Sequence, residues 1–271
     1  MITAETAETA TAFDRLTLIL AGAEKSGKSR LAATARKPIL FNDHDKRFSA
    51  LAGIKDVYGL TYMDSSAPGI MPTAFNDQLT VLTLLEQGKT LKFIGEQYGK
   101  KDWPDVRPRT VVIDSMASLS AHIMAYNLYS NKAIRRGIVI GGRELFFPGG
   151  WDAWNADSAS AYSIVMRLIA MKDLDVILIF HEDNEVDETR STEDKKAFTG
   201  KKNLFPARYQ QFNKYFNEVW RVSRELGGLV PTIQVSPDFR FMASSNLDFS
   251  KIKLTEITPN IAEMILKVTG K

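Results

Sequence analysis

Residues 22–29 read GAEKSGKS and follow directly on the apolar run RLTLILA, residues 15–21. The spacing Gly22-x-x-x-x-Gly27-Lys28-Ser29 restricts the fold more than any other feature of the chain. Such a loop encloses phosphate oxygens in its backbone amides only where a buried strand turns straight into a helix N-terminus. Both flanks fit. The run before it reads as a buried strand, and SRLAATARK after it reads as a helix rich in Ala and Leu that Pro38 ends. The loop residues Gly22, Ala23, Glu24, Lys25, Ser26, Gly27, Lys28 and Ser29 are therefore the expected nucleotide cradle. Lys28 is placed to reach the β- and γ-phosphates of ATP, and the Ser29 hydroxyl to ligate Mg²⁺.

The remaining pattern supplies the frame. PILFN is a second strand, DVYGLTYMD holds a third, and TVVIDS and DVILIFHED are strongly apolar strands. Helical spacing appears in MPTAFNDQLTVLTLLEQGK, in MASLSAHIMAYNLYS and in WDAWNADSASAYSIVMRLIAMK. GIVIGGRELFFPGG is glycine-rich and reads as a loop. NEVWRVS and PTIQVS read as paired strands about the turn RELGGLVP. Thr258 is an expected cap for a closing helix over 258–269 that begins at Pro259. Strands alternating with helices imply an α/β fold with a mostly parallel central sheet flanked by helices, plus a C-terminal antiparallel hairpin over 216–250. Residues 1–12 read as a flexible leader, and 13–271 as one domain.

In open α/β sheets ligands sit at the carboxyl ends of the strands. Asp114 ends TVVID, where a carboxylate beside Mg²⁺ is needed. Asp43 and Asp45, in FNDHDKR, are the candidates for orienting the attacking water, with Glu24 as a further acid inside the loop. The D-H-D spacing fits no zinc pattern. His181 ends DVILIF, where it is placed to contact a terminal phosphate and report its presence.

Composition narrows the setting. Of the 271 residues 44% are hydrophobic and 25% charged, ordinary values for a globular chain. With no cysteine, disulfides, thiolate metal sites and cysteine nucleophiles are excluded. No apolar run approaches a membrane span, and the expected location is the cytoplasm, the host's if the chain is phage-encoded. The net charge of +3 is small but unevenly placed. Between 130 and 143 lie Lys132, Arg135, Arg136 and Arg143 with no acid. Between 195 and 224 lie eight basic residues, including Lys195, Lys196, Lys201 and Lys202, against the single acid Glu218.

Together GAEKSGKS, VVIDSMASL, LFNDHD and ILIFHED resemble the RecA-like P-loop ATPase core, and FNEVWRV…PTIQVSPDFRFMAS is similar to the C-terminal hairpin of phage RecA-like proteins of the AAA-type, single-strand-annealing group. The resemblance spans about residues 12–250. It implies a Mg²⁺-dependent ATPase, stimulated by DNA, that acts on single-stranded DNA in recombination or annealing. It also implies assembly with itself into a filament or ring, with a single-strand binding protein as a further partner. Asp43 and Asp45 stand where the family carries a catalytic Glu, and His181 stands where it carries a Gln. The two basic blocks fall where the family's DNA-holding loops lie. Lys201, Lys202 and Arg221 are candidates for completing a neighbouring subunit's site. Phe198, Phe205, Tyr209 and Phe212 are candidates for base stacking, although helical spacing assigns most of them to a core. Two alternatives stay open: a nucleotide-gated assembly factor that binds no DNA, and a small-molecule kinase whose lid would be NKAIRRG.

Overall fold

The computed structural model describes residues 15–64, 70–140, 143–192, 195–224, 231–241, 243–247 and 259–270, with the side chains of 138–140 and 143–145 outside that description. The elements in chain order are β1 (Thr17–Gly22), α1 (Lys28–Ala32), β2 (Ile39–Asp43), β3 (Val57–Thr61), α2 (Ala74–Glu86), α3 (Leu91–Gln97), β4 (Thr110–Asp114), α4 (Met116–Ser130), β5 (Arg135–Ile140), β6 (Arg143–Pro148), α5 (Trp151–Ala170), β7 (Asp175–Val186), β8 (Phe198–Phe205), β9 (Glu218–Ser223), β10 (Thr232–Gln234), β11 (Ser244–Ser245) and α6 (Ile261–Thr269).

The main sheet runs β10-β9-β1-β7-β4-β2-β3. Its centre is parallel: β1 pairs with β7 and β9, and β4 with β7 and β2. Antiparallel pairs occur at the margins, β10 and β11 on β9 and β8 on β7. Central strands buried on both faces need apolar residues at successive positions, which is why they read as continuous runs. In β7, Val176, Leu178 and Phe180 enter the core shared with α2, α4 and α5. Ile177 and Ile179 enter the opposite core, shared with Leu31 of α1 and with Ile261, Met264 and Ile265 of α6.

Asp175, fully buried at the amino edge of the sheet, ties β7 to β1 and to the segment after α1. It accepts from Leu16 N at 2.8 Å and from Arg36 Nε and Nη2 at 2.8 and 2.7 Å.

Several local expectations are corrected. The stretch 135–148 is a two-stranded hairpin rather than a loop, with Arg136 opposite Phe147 and Ile140 opposite Arg143. Its β-branched and aromatic residues flank a Gly-Gly pair in the sequence, and such a pair between strand formers is itself a hairpin signal. Helix α1 stops at Ala32, well short of Pro38. Strand β7 does not end near His181. It carries the acidic run outward to Val186, where β8 pairs with it and Lys202 Nζ donates to Asn184 Oδ1 at 2.7 Å. Strands β9 and β10 pair antiparallel as the expected hairpin, and β9 also lies parallel to β1, which makes that hairpin part of the main sheet. The cap of α6 is Asn260, whose side chain accepts from Glu263 N. Thr258 and the leader lie outside the described residues, as does the turn 225–230.

Asp175→Ala would remove the buried acceptor shared by Leu16 N and Arg36, and each hydrogen bond to a charged group contributes about 1.5–3 kcal/mol. Urea unfolding should show a loss of that size at neutral pH, with the slope of the transition unchanged.

Candidate functional site

Residues from five strand ends meet at the carboxyl edge of the sheet. β1 delivers the loop. Gly22 is required there by close approach, since a Cβ would stand 2.1 Å from the Val222 carbonyl oxygen of β9. Gly27, at the entry to α1, has φ +100, a backbone region that disfavours side chains. The Lys28 ammonium is buried under the loop. It donates to the carbonyl oxygens of Gly22 at 2.8 Å and Ala23 at 2.6 Å. Burial lowers its pKa to about 8, against the pull of Asp114, Glu182, Asp45 and Glu24.

Ser29 Oγ donates to Asp114 Oδ2 at 2.5 Å, joining the loop helix to the end of β4. Burial raises the Asp114 carboxyl to about 6, opposed by the Ser29 hydrogen bond and reinforced by Asp45 and Asp43. Ser29 and Asp114 present two oxygen ligands and no more. Among the described residues no cluster of three His, Asp or Glu could cage a metal by itself. Two ligands suit Mg²⁺, which keeps waters and takes phosphate oxygens for the rest of its shell.

The structure separates the two acids of FNDHDKR. Asp43 caps its own turn, accepting from Arg47 N, Phe48 N and Thr61 Oγ1. Asp45 instead opens to the cleft. It accepts from Ser115 Oγ at 2.8 Å and from Ser118 Oγ, and it lies 3.5 Å from His181 Nε2. Burial works against its ionised form, but His181, Ser118 and Ser115 together hold it well below the usual carboxylate range. His44, between the two acids, is no ligand. Its Nε2 lies 3.0 Å from Gln78 Oε1, its ring stacks on Tyr62, and burial lowers its pKa to about 3. The backbone amides of His44 and Asp45 both donate to the Asp114 carbonyl.

Two cavities share Asp45, Arg47 and His181. The first, ≈ 380 Å³, is lined by loop residues 25–29, Arg30, Asp114 and Arg224. The second, ≈ 550 Å³, lies beyond Asp45 against Glu24, Ser118, Glu182 and Asp183. Asp45 and His181 thus stand between the phosphate loop and the second cavity.

Ser115, Ser118 and Glu182 are not distinguished by the sequence pattern, and the signal for Ser115 and Glu182 was their place directly after Asp114 and His181. Arg221 donates to Glu182 through Nε and Nη2 at 2.8 and 2.9 Å, so its guanidinium is engaged within its own chain.

The basic residues divide. Lys132, Arg136, Lys195, Lys196 and Lys201 are exposed. Arg135 is tied down, donating to the carbonyls of Leu128 and Tyr129 and lying 3.8 Å over the Phe146 ring. Arg143 is described only by its backbone pairing with Ile140. Arg135 lies beyond the far end of α4, a helix about 22 Å long at 1.5 Å per residue that starts beside Asp114, which places NKAIRRG away from the phosphate loop. Tyr209 and Phe212 are buried core residues, whereas Phe198 and Phe205 are exposed. No described helix is long and apolar enough to cross a membrane.

A family model described as an AAA domain matches residues 14–232. No curated protein matches the chain. Among solved structures the chain is similar to the RadB recombinase, at 14% identity and a TM-score of 0.37, over 77% of this chain and 74% of that one. That likeness is too slight to bear on function.

The raised Asp114 carboxyl sets a pH dependence. Its folded pKa of about 6 exceeds the unfolded 3.8, so the ligand-free fold loses stability as pH rises from about 4 through 6. Asp114→Asn removes that charge. Thermal melts should find the variant a few degrees more stable than the parent at pH 8, with the difference vanishing toward pH 4.

Proposed function

The chain belongs to the AAA domain family, and on that premise we propose that it is an ATP-binding, Mg²⁺-dependent ATPase of RecA-like type that acts on single-stranded DNA. The observation that carries the nucleotide part is the Ser29–Asp114 hydrogen bond, with Lys28 and Asp45 at the same cleft.

The geometry supports the following roles. The loop amides and the start of α1 receive the phosphate oxygens. Lys28 exchanges the carbonyls of Gly22 and Ala23 for a terminal phosphate, which satisfies its ammonium better than two neutral acceptors do. Ser29 and Asp114 hold Mg²⁺, which supplies positive charge against the phosphate oxygens. Asp45, kept ionised by two hydroxyls and His181, orients the attacking water. Asp43 holds the turn that presents Asp45. His181 contacts Asp45 and opens the extended half of β7, so occupancy of the cleft is felt by the hairpin that β7 forms with β8.

The DNA part is supported by the exposed cations of the two basic segments and by the motif resemblance. Lys and Arg release counterions from phosphates, which supplies sequence-independent affinity. Self-assembly would bring a further cation to the cleft from a neighbour, with exposed Lys201 favoured over the engaged Arg221. The kinase alternative loses its lid through the position of Arg135.

ATP turnover measured with and without a single-stranded oligonucleotide tests this reading. Lys28→Ala should abolish turnover. Asp45→Asn should lower kcat by roughly 10²–10⁴ with little change in nucleotide affinity. Asp43→Asn should act mainly on thermal stability. A wild-type protein that neither binds the oligonucleotide at low salt nor turns over faster with it removes the DNA assignment. Normal hydrolysis by both Lys28→Ala and Asp45→Asn removes the site assignment.

A further inference from the structure

Of the aromatic residues of the second basic block, Tyr209 and Phe212 are buried, and the exposed Phe198 and Phe205 stand at opposite ends of β8. The large aromatic side chains that reach solvent together lie elsewhere. Trp151, in the first turn of α5, is 82% exposed. Trp154 follows three residues later, hence on the same helix face, and is 39% exposed. Phe147, directly opposite Arg136 in the β5–β6 hairpin, is 44% exposed. Directly opposed residues of an antiparallel pair project from the same face, so Arg136 and Phe147 stand side by side. Neither the core nor the nucleotide cleft uses these rings.

This aromatic stretch lies between the two basic segments. On one side Lys132 and Arg136 are exposed and form no ion pair among the described residues. On the other side, Arg208 follows β8 and reaches α5. Its Nε donates to buried Asp157 at 2.7 Å, and its guanidinium lies 4.8 Å over the Trp154 ring. Lys195, Lys196 and Lys201 are exposed on β8 and the segment before it. Through Arg208 the second basic segment thus meets α5 at Trp154 and Asp157. The acid in the first turn of α5, Asp152, sits where it complements the helix N-terminus.

We infer that Phe147, Trp151 and Trp154 are a base-stacking face for a single nucleic-acid strand, with Lys132 and Arg136 on its phosphates. The inference rests on the DNA-binding reading above and adds the residues that tell a single strand from a duplex. Cations alone bind either form. Only an unpaired base offers a free ring face to an aromatic side chain. Trp154, already carrying the Arg208 plane, is suited to a stack of guanidinium, indole and base.

The test uses the full chain and a fluorescein-labelled thymidine oligonucleotide, read by anisotropy, with intrinsic tryptophan emission followed in parallel. Trp151→Ala and Trp154→Ala should each weaken binding by roughly 5- to 150-fold, the range of one stacked base. Trp151→Phe should keep most of the affinity while losing much of the emission quenching. Competition by a duplex of equal length should be weak against the parent and stronger against the Ala variants. Because Trp151 is on the surface, an unchanged melting temperature shows that its variant is folded. Parent-like oligonucleotide binding by both Ala variants overturns the inference and leaves the DNA reading intact. So does a change in sedimentation with parent-like binding, which would make this face a protein contact. A parent that binds no oligonucleotide overturns both.

Discussion

A buried carboxylate beside a buried ammonium, one at the end of β4 and the other on the loop that leaves β1, with β7 between the two strands, governs this molecule. Asp114 and Lys28 are both withdrawn from water, and each is pushed toward its neutral form by that withdrawal. Neither is fully satisfied by the chain itself. Asp114 has the Ser29 hydroxyl, and Lys28 has two carbonyl oxygens and a distant serine. Such a site is held at a cost to stability, and a ligand that offered charge of the opposite sign to each group would offset it.

The surrounding architecture exists to hold that arrangement still. The strands beneath are buried on both faces, so their register cannot slip without exposing apolar side chains. The loop passes so close to β9 that a methyl group at Gly22 would collide with the Val222 carbonyl. β9 therefore shapes the nucleotide cradle although it lies some 200 residues further along the chain. At the amino edge the Asp175 network fixes β7 to β1, which sets the height at which His181 meets the loop. Above the carboxyl edge, α4, α5 and the β7–β8 hairpin extend from the same groups that would handle phosphate. Ser120 of α4 and Arg208 after β8 converge on Asp157 of α5. These outer elements are thus linked by a buried polar network as well as by apolar packing.

Much of this was legible in the residues. The phosphate loop, the strands under it and Asp114 could be read because their chemistry is local: glycines at fixed spacing, an apolar run, a carboxylate where the run ends. The two acids of FNDHDKR could not be ranked that way. Their sequence surroundings are alike, and they differ only in what folds against them, turn amides for Asp43 and the hydroxyls of α4 for Asp45. The hairpin at 135–148 read as a loop because its glycines were given more weight than its isoleucines and phenylalanines. The strand 218–223 and its antiparallel partner at 232–234 were both legible, but the second pairing, with β1, was not, since it is a long-range choice that adjacent residues do not encode.

By itself the sequence determined that a phosphate-gripping loop would form and what would flank it, because strand periodicity, helix entry and glycine spacing act over a few residues. Which carboxylate faces the cleft, which cations remain free and which aromatic rings reach solvent were decided only in the tertiary structure. Those properties depend on burial and on hydrogen-bond partners that come from distant parts of the chain. Tyr209 and Trp151 make the contrast plain: both are aromatic residues near basic segments, yet packing buried one and left the other in water.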